Sequence, residues 1–136
     1  MDDFNVRKMQ KSDLKCVINL LADDDLGQWR EKKDLVVHPD YIRAFEQICN
    51  DANQYAAVFE INGETIGCLQ ISFIPGLSRR GCKRGQIEGV RVSRDFRGKG
   101  YGAKMIAWAI SECCDRGCGL VQLTSDKKRE DAIQFY

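Results

Sequence analysis

The sequence predicts a single α/β domain in which a mixed β-sheet packs against helices, and three observations carry this prediction. Helical and β-type apolar periodicities alternate along the chain, and an Asn62-Gly63 dipeptide joins two β-rich runs. A third β-rich run passes through a glycine-rich turn into a helix. With 136 residues, 43% of them hydrophobic, the chain suits one core, so we expect residues 1–136 to form one domain.

The first third of the chain predicts a strand followed by two helices. Residues 4–9 have the composition of a short strand, and Ser12 is expected to cap a helix. The apolar stripe of this helix is Leu14, Val17, Ile18 and Leu21. After a long polar connection, Pro39 opens a second helix that ends at Asn50-Asp51. Its inward stripe is predicted to be Ile42, Phe45 and Cys49.

The middle of the chain predicts a β-hairpin. Residues 54–61 and 65–74 are β-rich runs on either side of Asn62-Gly63. Both of these turn positions favour positive φ, which is what a tight turn between antiparallel strands requires.

The last part of the chain predicts two more strands and two more helices. A basic loop, residues 76–85, leads into a strand over 86–92, and a helix follows from about Gly100 to Arg116, with Gly117 as its stop. Its inward residues are predicted to be Met105, Ile106, Ala109 and Ile110. A strand over 120–125 and a helix from 128 complete the order β-α-α-β-β-β-α-β-α.

Composition excludes several classes of function. The formal net charge is +1, so no overall attraction to nucleic acid or to a membrane is expected, and the basic loop lacks interleaved aromatic residues. No apolar run is long enough to span a bilayer, and the acidic start is unlike a secretory signal, which predicts a cytoplasmic protein. Seven cysteines and the single His38 show no zinc-site spacing, so no metal is predicted.

The glycine-rich turn is the strongest functional signal. Gly98, Gly100 and Gly102 alternate with other residues where a strand hands over to a helix, and Arg97 and Lys99 flank them. Such a turn exposes backbone N–H groups at the positive end of the helix dipole, and glycine lets a ligand approach the backbone closely. The turn therefore predicts a site for a phosphate group.

Two kinds of nucleotide site compete for this turn. The P-loop pattern is absent, which argues against a GTPase or kinase. The dinucleotide fingerprint is matched by Gly98, Gly100 and Ala103, with Asp126 after the next strand. However, residues 93–96 separate the strand from the first glycine, so a dinucleotide-binding domain stays a second alternative.

The segment "RGKGYG", residues 97–102, resembles the Arg/Gln-x-x-Gly-x-Gly/Ala motif of the GNAT superfamily of N-acetyltransferases. The flanking "IEGVRV", "AKMIAWAI", "LVQLTS" and "DAIQFY" resemble that family in order and spacing. The resemblance implies a splayed mixed sheet with helices on both faces, which binds acetyl-coenzyme A (acetyl-CoA) between its fourth and fifth strands. It also implies direct transfer of the acetyl group to a primary amine of a small molecule or peptide.

The same resemblance implies which residues bind the cofactor. The pyrophosphate would be held by the backbone of Arg97, Gly98, Lys99, Gly100, Tyr101, Gly102 and Ala103. The pantetheine arm would pair with the backbone of Val90, Arg91 and Val92, and Gly89 would form a bulge that opens the sheet. Arg129 stands where many relatives have an asparagine that touches the cofactor, and it reaches a phosphate or is solvated.

Two residues are candidates for catalysis. Glu88 is expected to act as the base that deprotonates the amine. Strict alternation places it on an apolar face with Val90 and Val92, while pairing with Arg91 or Lys83 on a solvated face is the alternative. Tyr136 matches the tyrosine that many relatives use as the general acid.

Relatives of this kind usually continue past this tyrosine into two more strands. We therefore expect either that the chain is truncated or that a partner chain occupies the place of these two strands. In the second case the chain would self-associate as a homodimer through this end. The acceptor pocket would be shaped by residues 23–33 and 76–85, in which acidic Asp23, Asp24 and Asp25 would attract a cationic amine. A CoA-binding sensor without acceptor chemistry is left open as another function.

Overall fold

The structure is a computed structural model that describes residues 3–22 and 37–124. The described residues form β1 (Phe4–Lys8), α1 (Leu14–Ala22), α2 (Pro39–Cys49), β2 (Gln54–Ile61), β3 (Glu64–Ile74), β4 (Lys83–Val92), α3 (Tyr101–Asp115) and β5 (Cys118–Leu123). Two 3-10 turns, Lys11–Asp13 and Arg94–Phe96, precede α1 and α3. The predicted order is confirmed through the fifth strand, and the helix predicted from residue 128 lies outside the described residues.

The five strands form one mixed sheet in the order β1-β2-β3-β4-β5. The first three pairings are antiparallel, and β4 pairs with β5 in parallel. The predicted mixed α/β sheet is therefore confirmed. Because a dinucleotide-binding fold is built on a mostly parallel sheet, this topology excludes the dinucleotide alternative.

The hairpin between β2 and β3 forms as predicted. Asn62 and Gly63 both have positive φ, 51° and 84°, which matches the twist of the flanking strands. The turn is also tied to the start of the chain, since Asp3 N donates to Asn62 Oδ1 and Asn62 N donates to Asp3 O, each at 3.1 Å.

One face of the sheet carries the main core, under α3. Apolar side chains of β2, β3 and β4 interlock there with one stripe of the helix, and the central members are Phe59, Leu69, Ile71, Ile87, Met105, Ala109 and Cys113. Trp108 adds edge contacts to Tyr55 and Phe59, at 5.3 and 5.5 Å between ring centroids. Ile110, predicted to point inward, is 40% exposed, because the buried stripe of α3 is narrower than its apolar pattern.

The opposite face of the sheet is covered by two smaller clusters. Val17 and Leu20 of α1 pack on Val58 and Cys68 of the central strands. Farther out, Leu14 and Ile18 of α1 meet Phe45 of α2. Cys49, which the periodicity predicts to be buried, is exposed at the last position of α2.

An ion-pair network fixes the start of α1. The Arg7 guanidinium donates two hydrogen bonds of 2.8 Å to the Asp13 carboxylate, and it also lies 3.3 Å from the Glu60 carboxylate. Asp13 in turn accepts from Gln10 N at 2.7 Å. The prediction of a Ser12 cap is wrong: the chain enters through a 3-10 turn with Gln10 at its N-cap, and Asp13 supplies the capping carboxylate.

The last two strands begin earlier than the sequence predicts, and β5 starts at Cys118 instead of Leu120. β4 begins at Lys83, so the end of the basic loop belongs to the strand. What remains of the loop contains a helical turn, Ser78–Gly81, in which Arg79 and Arg80 have left-handed φ of 53° and 61°. No helix within residues 3–22 and 37–124 has both the length and the hydropathy needed to cross a membrane.

Candidate functional site

A β-bulge at Gly89 shapes the centre of β4. Gln70 of β3 pairs with Glu88 and Cys68 pairs with Arg91, so Gly89 and Val90 together face one residue of β3. Gly89 has φ of +65°, which glycine adopts without strain. The predicted bulge is therefore confirmed.

The bulge reverses the predicted direction of Glu88. Val90 and Val92 pack against the core under α3, whereas Glu88 lies across from Gln70 on the opposite face. The prediction that Glu88 shares an apolar face with these valines is wrong, because the extra residue of the bulge shifts the alternation by one. Glu88 is half-buried, and its carboxylate has no ion pair or hydrogen bond with another of the described residues.

The buried thiol of Cys68 is hydrogen-bonded to the backbone of the bulge. Cys68 Sγ donates to Gly89 O at 3.7 Å. Burial raises the pKa of this thiol to about 12, while Arg91 acts in the opposite direction. Cys68 therefore stays protonated at neutral pH, which suits a hydrogen-bond donor and not a nucleophile.

Past the bulge, β4 has an edge to which none of the described residues adds a strand. The parallel pairing of β4 with β5 ends where Thr124 N donates to Ile87 O at 3.0 Å. Ser93 N bonds Ile66 O of β3, so alternation within the regular stretch after the bulge directs the backbone of Val92 toward the other side. An extended polar ligand can add to this edge as a strand would.

The glycine turn ends at the same edge. Gly98 and Gly100 have φ of +75° and +87°, and a Cβ added at either would meet nothing within 4 Å. Gly100 is the N-cap of α3, and the first helical bond, from Lys104 N to Gly100 O, is 3.2 Å long. The N–H groups of Gly102 and Ala103 precede that bond and lie in the first turn of the helix, where an anion is favoured.

Cationic side chains surround this turn. Lys99 Nζ lies 5.7 Å from the ring of Phe96, and Lys104 Nζ lies 5.6 Å from the ring of Tyr101. Arg97 Nε donates to Val92 O at 3.0 Å and so joins the turn to the end of β4. The first turn of α3 contains no acidic residue. The residues present therefore fit a ligand that has an extended polar arm and an anionic end.

The other predicted site residues lie outside the described residues. These are Tyr136, Arg129, and the acidic run of Asp23, Asp24 and Asp25. Among residues 3–22 and 37–124, no three His, Cys, Asp or Glu side chains come together as a metal-binding group.

A line of polar side chains beside Glu88 was not predicted from the sequence. Strand register places them next to one another on the face opposite α3, and we call this line the amide row: Gln54, Ser72, Gln86 and Gln122. Gln70 belongs to the next line of residues, beside Glu88. A detectable signal was the recurrence of glutamine or serine at alternate positions of otherwise apolar strands.

Comparison with known sequences identifies related proteins. The family described as "Acetyltransferase (GNAT) family" matches residues 17–136 of the chain. The aminoalkylphosphonate N-acetyltransferase of Salmonella typhimurium is 30% identical over 86 residues, which make up 63% of this chain and 55% of that protein. The chain thus aligns with little more than half the length of this curated relative.

Comparison with solved structures gives matches over nearly the whole chain. A transcriptional regulator from Bacillus halodurans is 40% identical with a TM-score of 0.94, over 98% of this chain and 89% of that one. Glucosamine-6-phosphate N-acetyltransferase from Arabidopsis thaliana is 26% identical with a TM-score of 0.76, over 97% and 88% of the two chains.

Proposed function

The chain belongs to the GNAT family of acetyltransferases, and from that premise we propose that it transfers the acetyl group of acetyl-CoA to a primary amine. The observation that carries the proposal is the meeting of two features at one end of the sheet. Beyond Ile87, none of the described residues pairs with the outer edge of β4, and this edge lies beside the glycine turn that begins α3.

The backbone of the chain would hold the cofactor. Val90, Arg91 and Val92 would pair with the pantetheine arm through their backbone, chiefly through N–H groups at the edge. The carbonyl oxygens of Val90 and Val92 already accept from Arg91 Nη1 and Arg97 Nε, each at 3.0 Å. The pyrophosphate would take N–H groups of the glycine turn, from Arg97 to Ala103, with charge from Lys99. An exposed helix end contributes about 0.3–1 kcal/mol per charge, so several N–H bonds must share the binding of the phosphates.

Bound acetyl-CoA would supply the acetyl group: a bond forms between the carbonyl carbon and the amine nitrogen, the C–S bond breaks, nitrogen loses a proton, and CoA leaves as the thiol after its sulfur gains one. Glu88 prepares the amine, because an alkyl amine with a pKa of about 10.4 is almost wholly protonated at neutral pH. The carboxylate accepts a proton from the ammonium group, directly or through water, and frees its lone pair for attack. Glu88 suits this task because it follows Ile87, the last residue of β4 that pairs with β5 in the described part of the chain.

Tyr136 is proposed as the group that returns a proton to the sulfur that leaves. This assignment rests on the resemblance of "DAIQFY" to the family pattern. We expect Tyr136→Phe to lower kcat about tenfold or more while the KM for acetyl-CoA stays within twofold, because only the proton donor is lost. Unchanged kcat would remove the assignment.

Binding of acetyl-CoA is the first test of the proposed function. Calorimetric titration should show binding of acetyl-CoA, with NADH and ATP at the same concentrations as controls. A free-thiol assay over a panel of small amines and peptides should then show CoA released only when an acceptor is present. Acetyl-CoA binding no tighter than that of NADH, with no thiol release, would contradict the proposal.

The role of Glu88 has a separate test. Glu88→Gln should lower kcat about 100-fold with little change in the dissociation constant of acetyl-CoA, because the amide keeps the shape and cannot accept the proton. Glu64→Gln, an exposed glutamate at the start of β3, is the matched control and should keep wild-type turnover. Equal turnover in both variants would sink the assignment.

A second candidate is a regulatory module that binds CoA without acetylating an amine. The observation that favours it is the name of the Bacillus halodurans protein, a transcriptional regulator with 40% identity. Tight acetyl-CoA binding together with no turnover across the amine panel would favour this function over the enzyme.

A further inference from the structure

The amide row of Gln54, Ser72, Gln86 and Gln122 crosses four strands at one level of the sheet. The pairings Gln54 with Ser72, Ser72 with Gln86, and Gln86 with Gln122 make each member the direct neighbour of the next. Direct cross-strand neighbours have Cβ atoms about 4.5–5.5 Å apart, so the row is a continuous line of polar groups.

The amide row begins just beyond the part of the sheet that α1 covers. Cys68 and Val58 lie under Val17 and Leu20 of α1, and the next residues along β3 on that face are Gln70 and Ser72. Gln54, Ser72 and Gln86 are half-buried and Gln122 is exposed. A sheet face built only for packing would continue with apolar residues here.

The row keeps hydrogen-bonding capacity. Ser72 Oγ lies 3.0 Å from Gln54 Nε2 and 3.1 Å from Gln54 Oε1, and Gln70 Nε2 donates to Gln54 Oε1 at 2.8 Å, so these side chains are held in place and Ser72 Oγ keeps only accepting capacity. Within the described part of the chain, the amides of Gln86 and Gln122 and the oxygen of Gln70 have no partner. Gln70 and Gln86 are half-buried, and a ligand that covered them would have to supply the hydrogen bonds that water makes otherwise.

Glu88 is two residues from Gln86 along β4, a separation of about 6.6–6.8 Å, and the two lie on one face. An acceptor with its amine at Glu88 therefore meets the row with groups several atoms away from its nitrogen. The row carries no charge and offers both donors and acceptors, as a hydroxyl does. Arg84, the next residue of β4 on this face, is exposed.

We propose that the amide row binds hydroxyl groups of the acceptor, so that the substrate is a hydroxylated amine of the amino-sugar type. This inference rests on the proposed function, because it needs an amine at Glu88. It assigns specificity to Gln86 and Ser72, which act on the acceptor and have no part in the proton transfer.

The test compares acceptors that differ in one group. Steady-state kinetics with acetyl-CoA would use trans-4-aminocyclohexanol, which places a hydroxyl across the ring from the amine, and cyclohexylamine, which lacks it. The acid 4-aminocyclohexanecarboxylate replaces the hydroxyl by a negative charge. We expect kcat/KM for the hydroxylated amine to exceed those for the other two by about tenfold, which is the effect of one well-placed hydrogen bond.

Variants of the row connect this preference to the residues. Gln86→Leu should bring the ratio of hydroxylated to plain amine close to one by raising the KM of the hydroxylated amine, with kcat and the KM for acetyl-CoA within twofold. Ser72→Ala should lower the ratio about threefold, and it serves if Gln86→Leu does not fold. Gln47→Leu, an exposed glutamine of α2, is the matched control and should keep the wild-type ratio.

Failure of the amide-row proposal and failure of the acetyltransferase proposal give different results in these experiments. Acetylation of all three amines with equal kcat/KM, or preference for the carboxylate, would overturn the inference and leave the acetyltransferase function standing. If the ratio persists in both row variants, the preference arises elsewhere and the assignment of the row is wrong. If amines outside this set are acetylated and these three are not, the inference also fails. No acetylation of any amine would overturn the proposed function itself.

Discussion

The two faces of the sheet are built differently although the same strands supply both. Under α3, residues of β2, β3 and β4 form one continuous apolar core that runs into the helix. On the opposite face, apolar contact is divided into two small clusters beneath α1 and α2, and the amide row and Glu88 lie beside them.

This difference assigns the stability of the fold mainly to one face of the sheet and the proposed chemistry to the other. The strands alternate, so each gives one set of side chains to packing and the other to the second face. A bulge lets β4 do both within ten residues, because it turns Val90 and Val92 into the core and leaves Glu88 on the polar face. Substitutions under α3 should therefore change the free energy of unfolding, and substitutions on the polar face should change kinetics.

The largest effect is expected at Gly85, where β4 touches α3. A Cβ there would lie 2.3 Å from Cys113 Sγ and 3.2 Å from Cys113 Cβ, so the strand and the helix would have to separate. We expect Gly85→Ala to lower the free energy of unfolding by about 3 kcal/mol, as overpacking of a tight core does. Urea denaturation measures this, and turnover per folded molecule should stay within twofold of wild type.

A double variant identifies the cause of the Gly85 effect. Cys113→Ala removes the closest atom and by itself should cost about 1 kcal/mol for the small cavity. The double variant Gly85→Ala/Cys113→Ala should therefore be more stable than Gly85→Ala alone. Simple addition of the two losses would show that the contact with Cys113 is not what excludes a side chain at Gly85.

An intermediate effect is expected at Asp13, which tests whether the second face also has a stabilising contact. Arg7 holds the pKa of this carboxyl below its usual value, mainly through their hydrogen bonds and against the effect of burial. Asp13→Asn should cost about 2 kcal/mol at pH 7, since a charge-assisted pair is lost. Because the folded pKa is the lower one, the stabilisation is complete above the unfolded pKa of about 3.9 and is lost as pH falls below it.

The pH dependence of this loss is its control. The difference in free energy of unfolding between wild type and Asp13→Asn should be constant from about pH 5 to 8 and should shrink toward pH 2. Asp115→Asn, at the exposed end of α3, should stay within about 0.5 kcal/mol of wild type throughout. A difference for Asp13→Asn that does not depend on pH would mean that the ion pair is not its origin.

The sequence predicted best those features that depend on local backbone chemistry. Asn62-Gly63 and the stop at Gly117 each follow from a residue that tolerates positive φ, and both form. The bulge at Gly89, which the family resemblance implied, forms as well. The direction of Glu88 was wrong although the bulge was predicted, because alternation was applied across the extra residue. A bulge and strict alternation cannot both hold in one strand.

Features that depend on contacts between residues far apart in the chain could not be predicted from the sequence. The amide row exists only through the register of four strands, and Gln54 is 68 residues from Gln122. Ile110 and Cys49 continue good apolar periodicities, yet the elements that would cover them lie elsewhere. Periodicity states which residues can be buried, and packing decides which are.

The smallest effect on stability is expected at Gly100. This residue begins α3, the helix that covers the main core, and it also lies in the glycine turn of the candidate site. Its φ of +87° is strained for alanine, while a Cβ there would meet nothing within 4 Å, so Gly100→Ala should cost only about 1 kcal/mol of stability. If the turn holds the pyrophosphate, the dissociation constant of acetyl-CoA should also rise about fivefold to tenfold, because N–H groups shift when the backbone relaxes.

Gly117 is the matched control for Gly100, at the other end of the same helix. Its φ is +82° and a Cβ there would also meet nothing within 4 Å, so Gly117→Ala should lose as much stability as Gly100→Ala. The two variants should nevertheless differ in calorimetric titration, since Gly117 is far along the helix from the proposed phosphate site. Equal acetyl-CoA affinity in both would mean that the turn is structural. A loss in Gly100→Ala alone would connect backbone conformation at the start of α3 to binding, separately from the stability of the helix.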